Sequence, residues 1–257
     1  VTGGYFGGTV EGINNHTKFI KGGYFKIKPD DSLIADGYAI TASGNTNYPY
    51  KVVVAHICSG VTYSNRLDSS FTGGTLASGN YYLTEGITLA KKIEINAGSN
   101  VKICLNGNSI NTEDVTGYDY TIKNYGTLTL NNCDTANGII NTYSFTFLCY
   151  NNSVLYGNAA IYSPMDVKGR SKISGCTFNN DISCTANSEI TGGTFLKRTY
   201  IHNYAVISGG TFNQEVKVFD SGVITGGYFS KAISSYNGNF IKGGYFKIKP
   251  DDSLIAD

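Results

Sequence analysis

Apolar residues in the second half of the chain recur in short runs separated by polar turns. Five of these runs begin with isoleucine, end with phenylalanine and start seventeen residues apart. They are Ile173–Phe178, Ile190–Phe195, Ile207–Phe212, Ile224–Phe229 and Ile241–Phe246. A seventeen-residue unit is too short to bury its own apolar side chains, so each unit must be stabilised by stacking on the next. The runs are rich in β-branched and aromatic residues and lack a helical stripe, which predicts β-strands.

Parallel strands stacked in register, each joined to the next by a full coil of chain, predict an all-β parallel β-helix. Its coils have about 17 residues in the C-terminal half, and the same pattern continues less regularly upstream to about Gly73. One internal ladder is predicted from the isoleucines and another from the phenylalanines. The ladder residues are Ile173, Ile190, Ile207, Ile224 and Ile241, and Phe178, Phe195, Phe212, Phe229 and Phe246. The paired glycines between them predict a bend where neighbouring coils approach closely, and Cys176 occupies one of these glycine positions.

An eighteen-residue stretch occurs twice without change, at residues 19–36 and 240–257. The two copies are offset by 221 residues, and the similarity extends backwards because Val1–Phe6 matches Ile224–Phe229 at all positions but the first. We therefore expect the sequence to begin late in one large repeat and to end at the corresponding place in the next. This arrangement predicts a tandem array.

Residues 37–54 contain two alternating runs around a Ser-Gly-Asn turn, which predicts a β-hairpin near the N-terminus. Just before it, Pro29 to Gly37 predicts a single helical turn that begins at an aspartate and ends at a glycine. The end of a β-helix exposes unpaired backbone and must be capped or docked. We therefore predict last coils of a preceding repeat at residues 1–36, a hairpin junction or cap at 37–72, and the β-helix of the next repeat at 73–257.

Charge and composition exclude several function classes. The net charge of +1 provides no long-range field for nucleic acid or an anionic membrane. The sequence contains no run of eighteen apolar residues, so no membrane insertion is predicted. Val1–Gly4 lacks the features of a signal peptide, so any export signal would lie outside this sequence. The 32 glycines, 20 tyrosines and 13 phenylalanines fit a protein rich in strands and turns.

Metal and cofactor sites have little support in the sequence, and no cofactor is predicted. The six cysteines lack CxxC pairs, which argues against zinc and leaves buried thiols and disulfides as open alternatives. They are Cys58, Cys104, Cys133, Cys149, Cys176 and Cys184. Asp30, Asp31 and Asp36 are the candidate calcium ligands, although helix capping explains the same residues without an ion.

Candidate catalytic residues are equally sparse. Glu113, Asp114 and Asp119 lie in one loop and are the candidate carboxylates for a polysaccharide lyase or glycoside hydrolase, whose sites cluster acidic groups. A solvated loop is the preferred interpretation. The three histidines, His16, His56 and His202, stand apart from any motif that would pair a nucleophile with a base. We therefore predict that the chain is not an enzyme.

Tyrosines form a column of their own on the outward side of the phenylalanine strands. Tyr228 and Tyr245 occupy equivalent positions, and Tyr5 and Tyr24 repeat them. Such a stripe offers flat apolar area with a hydroxyl at its edge, which suits sugar rings or a protein surface. Stacking between neighbouring coils explains the column equally well and is the simpler interpretation.

Several motifs together are similar to a known group of proteins. They are Ser78–Thr84, Ala97–Gly107, Gly126–Asp134 and the ending that runs from Gly-Gly-Tyr-Phe to Ala-Asp-Gly-Tyr38. In order and spacing they resemble the right-handed parallel β-helix repeats, of the pectin-lyase-like type, in large secreted or surface proteins of Gram-positive anaerobic bacteria. The resemblance covers most of residues 73–257 and recurs at 1–54. It implies a right-handed coil and an extracellular or cell-surface location, and it supplies no activity.

Three functional hypotheses follow. The preferred one is a structural extracellular protein, a tandem array that forms a fibre, stalk or surface layer, whose partners are neighbouring copies in the same chain or head to tail between chains. The second is an adhesin that binds a glycan or a host-surface protein through loops at residues 111–120 and 141–163. The third is a carbohydrate-active lyase or hydrolase that uses the carboxylates of the 111–120 loop.

Overall fold

The chain folds as an all-β parallel β-solenoid of about 12 turns with a spacing of about 18 residues. The computed structural model describes residues 1–12, 16–112, 120–133, 138–141 and 146–256. The chain divides into two compact units, residues 1–66 with 80–82 and residues 67–79 with 83–257. In the part of the chain described, no helix has the length and apolar character needed to span a membrane.

The strands are short, because each coil bends between the faces of the solenoid. In chain order they are β1 (Thr2–Phe6), β2 (Gly22–Phe25), β3 (Tyr38–Ala42), β4 (Tyr50–Val54), β5 (His56–Cys58), β6 (Val61–Tyr63), β7 (Asn65–Leu67), β8 (Gly74–Leu76), β9 (Gly79–Leu83), β10 (Ile87–Leu89), β11 (Ile93–Ile95), β12 (Asn100–Cys104), β13 (Ser109–Thr112), β14 (Tyr120–Asn124), β15 (Thr127–Asn131), β16 (Ile139–Asn141), β17 (Thr146–Cys149), β18 (Val154–Ile161), β19 (Met165–Val167), β20 (Lys172–Phe178), β21 (Ile182–Cys184), β22 (Glu189–Phe195), β23 (Thr199–Ile201), β24 (Val206–Ile207), β25 (Thr211–Phe212), β26 (Val216–Val218), β27 (Val223–Ile224), β28 (Tyr228–Phe229), β29 (Ile233–Ser235) and β30 (Tyr245–Phe246). Two 3₁₀ turns, Asp31–Leu33 and Asp252–Leu254, belong to the two copies of the repeated segment.

The first unit contains a short parallel stack that is followed by an antiparallel hairpin. Strands β1 and β2 pair in parallel, and β4 pairs antiparallel with β2 on its other side. Strand β3 pairs with β4 and completes the predicted hairpin, so that the sheet order is β1-β2-β4-β3. Strands β5 and β6 form a separate antiparallel pair. The hairpin therefore changes the sheet from parallel to antiparallel pairing.

The second unit is a solenoid whose coils each contribute strands to three faces. The first face stacks β12, β15, β18, β20, β22, β24 and β27. The second stacks β10, β13, β16, the end of β18, β20, β22, β25, β28 and β30. The third stacks β8, β11, β14, β17, β19, β21, β23, β26 and β29. All of these pairings are parallel, because successive coils run in the same direction.

Both predicted internal ladders are present in the second unit. The five isoleucines are paired from coil to coil on the first face, and all five side chains are buried. The phenylalanine rings on the second face stack with centroids 4.6 to 5.0 Å apart. The isoleucine ladder continues upstream through Leu155, Leu128 and Val101. One column of buried side chains therefore joins regular and irregular coils.

The third face carries two more buried columns. The first column contains Ile182, Val216 and Ile233, and the second contains Ile201 and Val218. These residues form the second apolar strand that the sequence predicts in each coil. Thr199 interrupts the first column, and its buried hydroxyl has no hydrogen-bond partner within the structure. A hydroxyl left in this way lowers stability, whereas the methyl group of threonine still packs in the column.

The paired glycines are required by two different constraints. At the second position the backbone is left-handed, with φ of +110° at Gly193 and +107° at Gly210, a region that favours glycine. At the first position of most pairs the neighbouring coil is too close for a side chain, since a Cβ on Gly209 would lie 2.3 Å from the carbonyl oxygen of Thr191. Gly192 is the exception in the second unit, because its nearest neighbour would lie at an ordinary contact distance of 3.7 Å. Cys176 takes the second position in its coil with φ of +63°, at the cost of some backbone strain.

The glycine bend gives a direct test of coil stacking. We expect Gly209→Ala to lower the free energy of unfolding by about 2 to 4 kcal/mol, because the new methyl group separates two hydrogen-bonded coils. Gly98→Ala is the matched control, because its φ of +78° is strained but no atom lies within 4 Å of the new Cβ. It should cost about 1 kcal/mol. Equal losses in chemical denaturation would contradict close coil packing at Gly209.

Candidate functional site: the repeated segment and its open edge

The two copies of the repeated segment fold in the same way, down to individual hydrogen bonds. In the first copy the amide of Ile20 donates to the carbonyl of Leu33 and the amide of Ala35 donates to that of Ile20. In the second copy Ile241 donates to Leu254 and Ala256 donates to Ile241. The repetition in sequence is therefore a repetition in structure.

The same aspartate begins the 3₁₀ turn in each copy. Asp30 Oδ1 accepts a hydrogen bond from the amide of Ser32 at 2.8 Å, and Asp251 Oδ1 accepts one from Ser253 at 2.9 Å. Hydrogen bonds from the serine lower the pKa of both aspartates below the usual range. These carboxylates act as caps at the start of the turn, as the sequence predicts.

The hairpin covers the first copy. Strand β4 pairs with β2 so that Val52 lies opposite Gly23, Lys51 opposite Tyr24 and Tyr50 opposite Phe25. Val52 joins Ile20, Phe25 and Leu33 in one buried apolar cluster. The partly buried side chains packed against this cluster include Tyr38, Ile40 and Tyr50 of the hairpin. Backbone pairing and apolar burial thus fix the hairpin at the same edge.

The second copy presents the same edge without a cover. Strand β30 pairs with β28 on one side, and no described strand pairs with its other side. Phe25 is fully buried whereas Phe246 is half-buried, and the exposed fraction rises from 36% at Tyr24 to 68% at Tyr245. Leu254 and Ala256 are also half-buried, although the equivalent Leu33 and Ala35 are buried. This edge is the clearest unsatisfied surface among the described residues.

The predicted tyrosine column is stacked from coil to coil. The rings of Tyr228 and Tyr245 lie 4.9 Å apart at 10°, and those of Tyr5 and Tyr24 lie 4.9 Å apart at 16°. Tyr228 and Tyr245 stay mostly exposed on their outer side. Cross-strand stacking therefore accounts for the column, and the outer tyrosine faces remain available for a partner.

A second aromatic column on the third face was not predicted. The rings of His202 and Phe219 stack at 4.5 Å and 3°, and Tyr236 follows with 94% of its surface exposed. A shallow groove of about 230 Å³ is lined by Phe219 and Tyr236 and also by Glu215 and Lys217. The three aromatic positions are spaced by seventeen residues. A search for this spacing among polar and aromatic residues would have found the column.

The candidate calcium ligands are each occupied by a neighbouring group. Asp31 pairs with Lys28 at 3.3 Å and Asp36 pairs with Lys18 at 2.9 Å, while Asp30 caps the turn. Asp31 and Asp36 line the same open groove, but the three carboxylates do not converge as a set of metal ligands. This geometry favours the capping interpretation, and calcium binding stays an untested alternative.

The candidate catalytic carboxylates, Glu113, Asp114 and Asp119, lie outside the described residues, so an active site in that loop stays untested. Elsewhere on the second unit, several acidic side chains pair with a basic neighbour. These pairs are Glu94 with Lys92, Asp166 with Lys168, Asp181 with Arg198, Glu189 with Lys172 and Glu215 with Lys217. The Ser208 hydroxyl and the Lys172 ammonium lower the pKa of Glu189, which keeps it ionised. Such surface pairs add little stability individually.

The three histidines lie in three different surroundings. His16 is exposed. His56 is half-buried against the rings of Tyr63 and Tyr82, and burial lowers its pKa. His202 belongs to the aromatic column on the third face.

The cysteines are mostly core residues of the coils. All six lie in the described part of the chain, none forms a disulfide bond there, and only Cys133 is exposed. Burial raises the pKa of the Cys149 and Cys176 thiols to about 12 and raises that of Cys184 further. These three thiols therefore stay protonated near neutral pH and pack as small apolar side chains.

Comparison with known proteins adds no further assignment. No protein-family model, curated protein or solved structure matches this chain. The case for function therefore depends on the repeated segment, its open edge and the aromatic columns.

Proposed function

We propose that this chain is a structural unit of an extracellular tandem array, in which solenoid blocks joined through hairpin junctions form a fibre, stalk or surface layer. In this role length and stiffness are the function. Each added block extends the rod by the same stacking that holds its own coils together. The partners are neighbouring copies of the same block.

One observation carries this proposal. The eighteen-residue segment keeps its hydrogen bonds, its capping aspartate and its stacked aromatic pairs at both places in the chain. An unchanged second copy at an offset of 221 residues favours an array of blocks over a single binding or active site. An array requires the same junction in every block.

The location and source of the proposed array rest on sequence resemblance. The quoted motifs are similar to right-handed, pectin-lyase-like β-helix repeats of large secreted or surface proteins of Gram-positive anaerobes. An extracellular or cell-surface location follows if that resemblance reflects common descent. Detection of the protein on intact cells by antibody labelling would support this part of the proposal, and detection only after lysis would contradict it.

A two-copy chain tests the array directly. Residues 37–257 are added after Asp257, which continues the 221-residue offset. We expect particles in electron micrographs to lengthen by on the order of 60 Å, the rise of about a dozen coils at the strand spacing. A control chain carries a flexible glycine-serine linker between the copies and should give a broad range of lengths. If the two-copy chain gives the same broad range as the control, the array is wrong.

The groove beside Phe219 and Tyr236 favours glycan binding as a second candidate function. A flat exposed ring next to Glu215 and Lys217 combines a stacking surface with hydrogen-bonding groups, as carbohydrate sites do. Tyr236→Ala should abolish any signal on a glycan array, whereas Tyr156→Ala, a control at another exposed tyrosine, should keep it. Absence of any signal from the unmodified chain would remove this candidate. The lyase or hydrolase alternative has only the undescribed 113–119 loop in its favour.

A further inference from the structure

The open edge at Tyr245 and Phe246 is made of the same residues as an edge that is already covered. The hairpin of residues 37–54 binds the first copy of the segment, and the second copy has the same sequence and the same local fold. Identical surfaces have the same affinity for the same partner. The first copy therefore identifies what fits the second.

We propose that the second copy is a docking site for an antiparallel β-hairpin with the sequence of residues 37–54, joined directly after the segment. The inference rests on the proposed array, because an array supplies such a hairpin at this position. It names the partner of the edge, the strand that pairs with it and the register.

The register follows from the first copy. Val52, Lys51 and Tyr50 lie opposite Gly23, Tyr24 and Phe25. In the second copy the equivalent residues of the added hairpin lie opposite Gly244, Tyr245 and Phe246. The Tyr245 amide already donates to the Gly227 carbonyl of the preceding coil. The amide and carbonyl of Phe246, on the other side of β30, then gain partners by β-augmentation.

The apolar fit is equally specific. In the first unit Val52 completes a cluster with Ile20, Phe25 and Leu33. Ile241, Phe246 and Leu254 present the same three side chains in the second copy, where Phe246 and Leu254 are only half-buried. A valine at the equivalent of Val52 would bury them as it does in the first copy.

Direct attachment is favoured over a hairpin from another molecule. The hairpin of another copy already covers its own segment, so exchange between molecules would expose as much apolar surface as it buries. In the first copy the 3₁₀ turn Asp31–Leu33 is followed closely by Tyr38, whose amide donates to the carbonyl of Ala35 at 3.1 Å. A connection this short keeps the hairpin at high effective concentration beside its site.

The experiment uses the full chain extended after Asp257 by a second copy of residues 37–54. The Tyr245 amide already donates to the Gly227 carbonyl of the preceding coil at 2.8 Å, so Phe246 is the residue whose amide faces the open edge. Amide hydrogen exchange of Phe246 is followed by mass spectrometry on peptides that include Asn239, where the two copies differ in sequence. We expect exchange at the Phe246 amide to slow by about tenfold or more relative to the unextended chain. The covered reference is Phe25, measured on peptides that include Lys18.

A matched control separates docking from simple lengthening. Its added hairpin carries Ile40→Lys and Val52→Lys at the equivalent positions, which removes the apolar contacts and leaves the length unchanged. It should exchange like the unextended chain. Protection at Ile190 and Ile207 reports that the solenoid is folded in every variant. Equal exchange at Phe246 in the extended and control chains would overturn the docking site.

Oligomeric state and the two-copy chain distinguish the remaining outcomes. Slowed exchange that depends on protein concentration and accompanies dimers in light scattering would mean that the hairpin docks between molecules, which overturns direct attachment. If the extended chain is protected but the two-copy chain forms no rod, the docking site stands and the proposed array fails. If the rod forms without protection at Phe246, the array stands and the docking site fails.

Discussion

Every coil of this protein depends on the coil beside it. A coil of seventeen residues makes few contacts within itself, and its backbone hydrogen bonds and apolar side chains are satisfied by the next layer along the axis. The isoleucine and phenylalanine columns follow from this constraint, because a parallel stack in register places identical residues on top of one another. The paired glycines follow too, since close layers leave no room for a side chain at the bend.

The same constraint makes the ends of a stack the sites where function is decided. An uncovered coil leaves strand edges unpaired and ring faces exposed, and such an edge can pair with another strand. In the first unit an antiparallel hairpin solves this problem by pairing with β2 and burying Phe25. At β30 no described strand pairs with the side opposite β28, and Phe246 stays half-buried. Because the two segments have the same sequence, the difference in burial between Phe25 and Phe246 follows from the presence of the hairpin and not from the residues themselves.

Much of the fold could be predicted because repetition makes the hydrophobic pattern easy to identify. Ile190, Ile207 and Ile224 share one spacing, so their stacking followed from the sequence alone. The upstream members of that ladder, such as Leu128 and Leu155, were harder to align because longer loops separate them and different apolar residues fill the same role. The column of His202, Phe219 and Tyr236 was missed because its members differ in chemistry while sharing the spacing.

The candidate site was only partly accessible from sequence. The repeated segment and the need for a cap could be predicted, but the pairing of Val52 with Gly23 depends on a register that the hairpin sequence does not reveal. The calcium candidates are clustered along the chain, yet Asp31 and Asp36 each pair with a lysine and Asp30 caps the turn.

The most direct test of layer-to-layer dependence is residue-resolved amide exchange in Phe212→Ala, which removes one ring from the middle of the ladder. Truncation of a buried phenylalanine costs about 3 to 5 kcal/mol. We predict that protection falls at Ile207, in the coil that loses its ring, and also at Ile190 and Ile224, in the coils on either side of it. Unchanged protection at Ile190 and Ile224, with losses confined to residues next to Phe212 along the chain, would contradict this prediction.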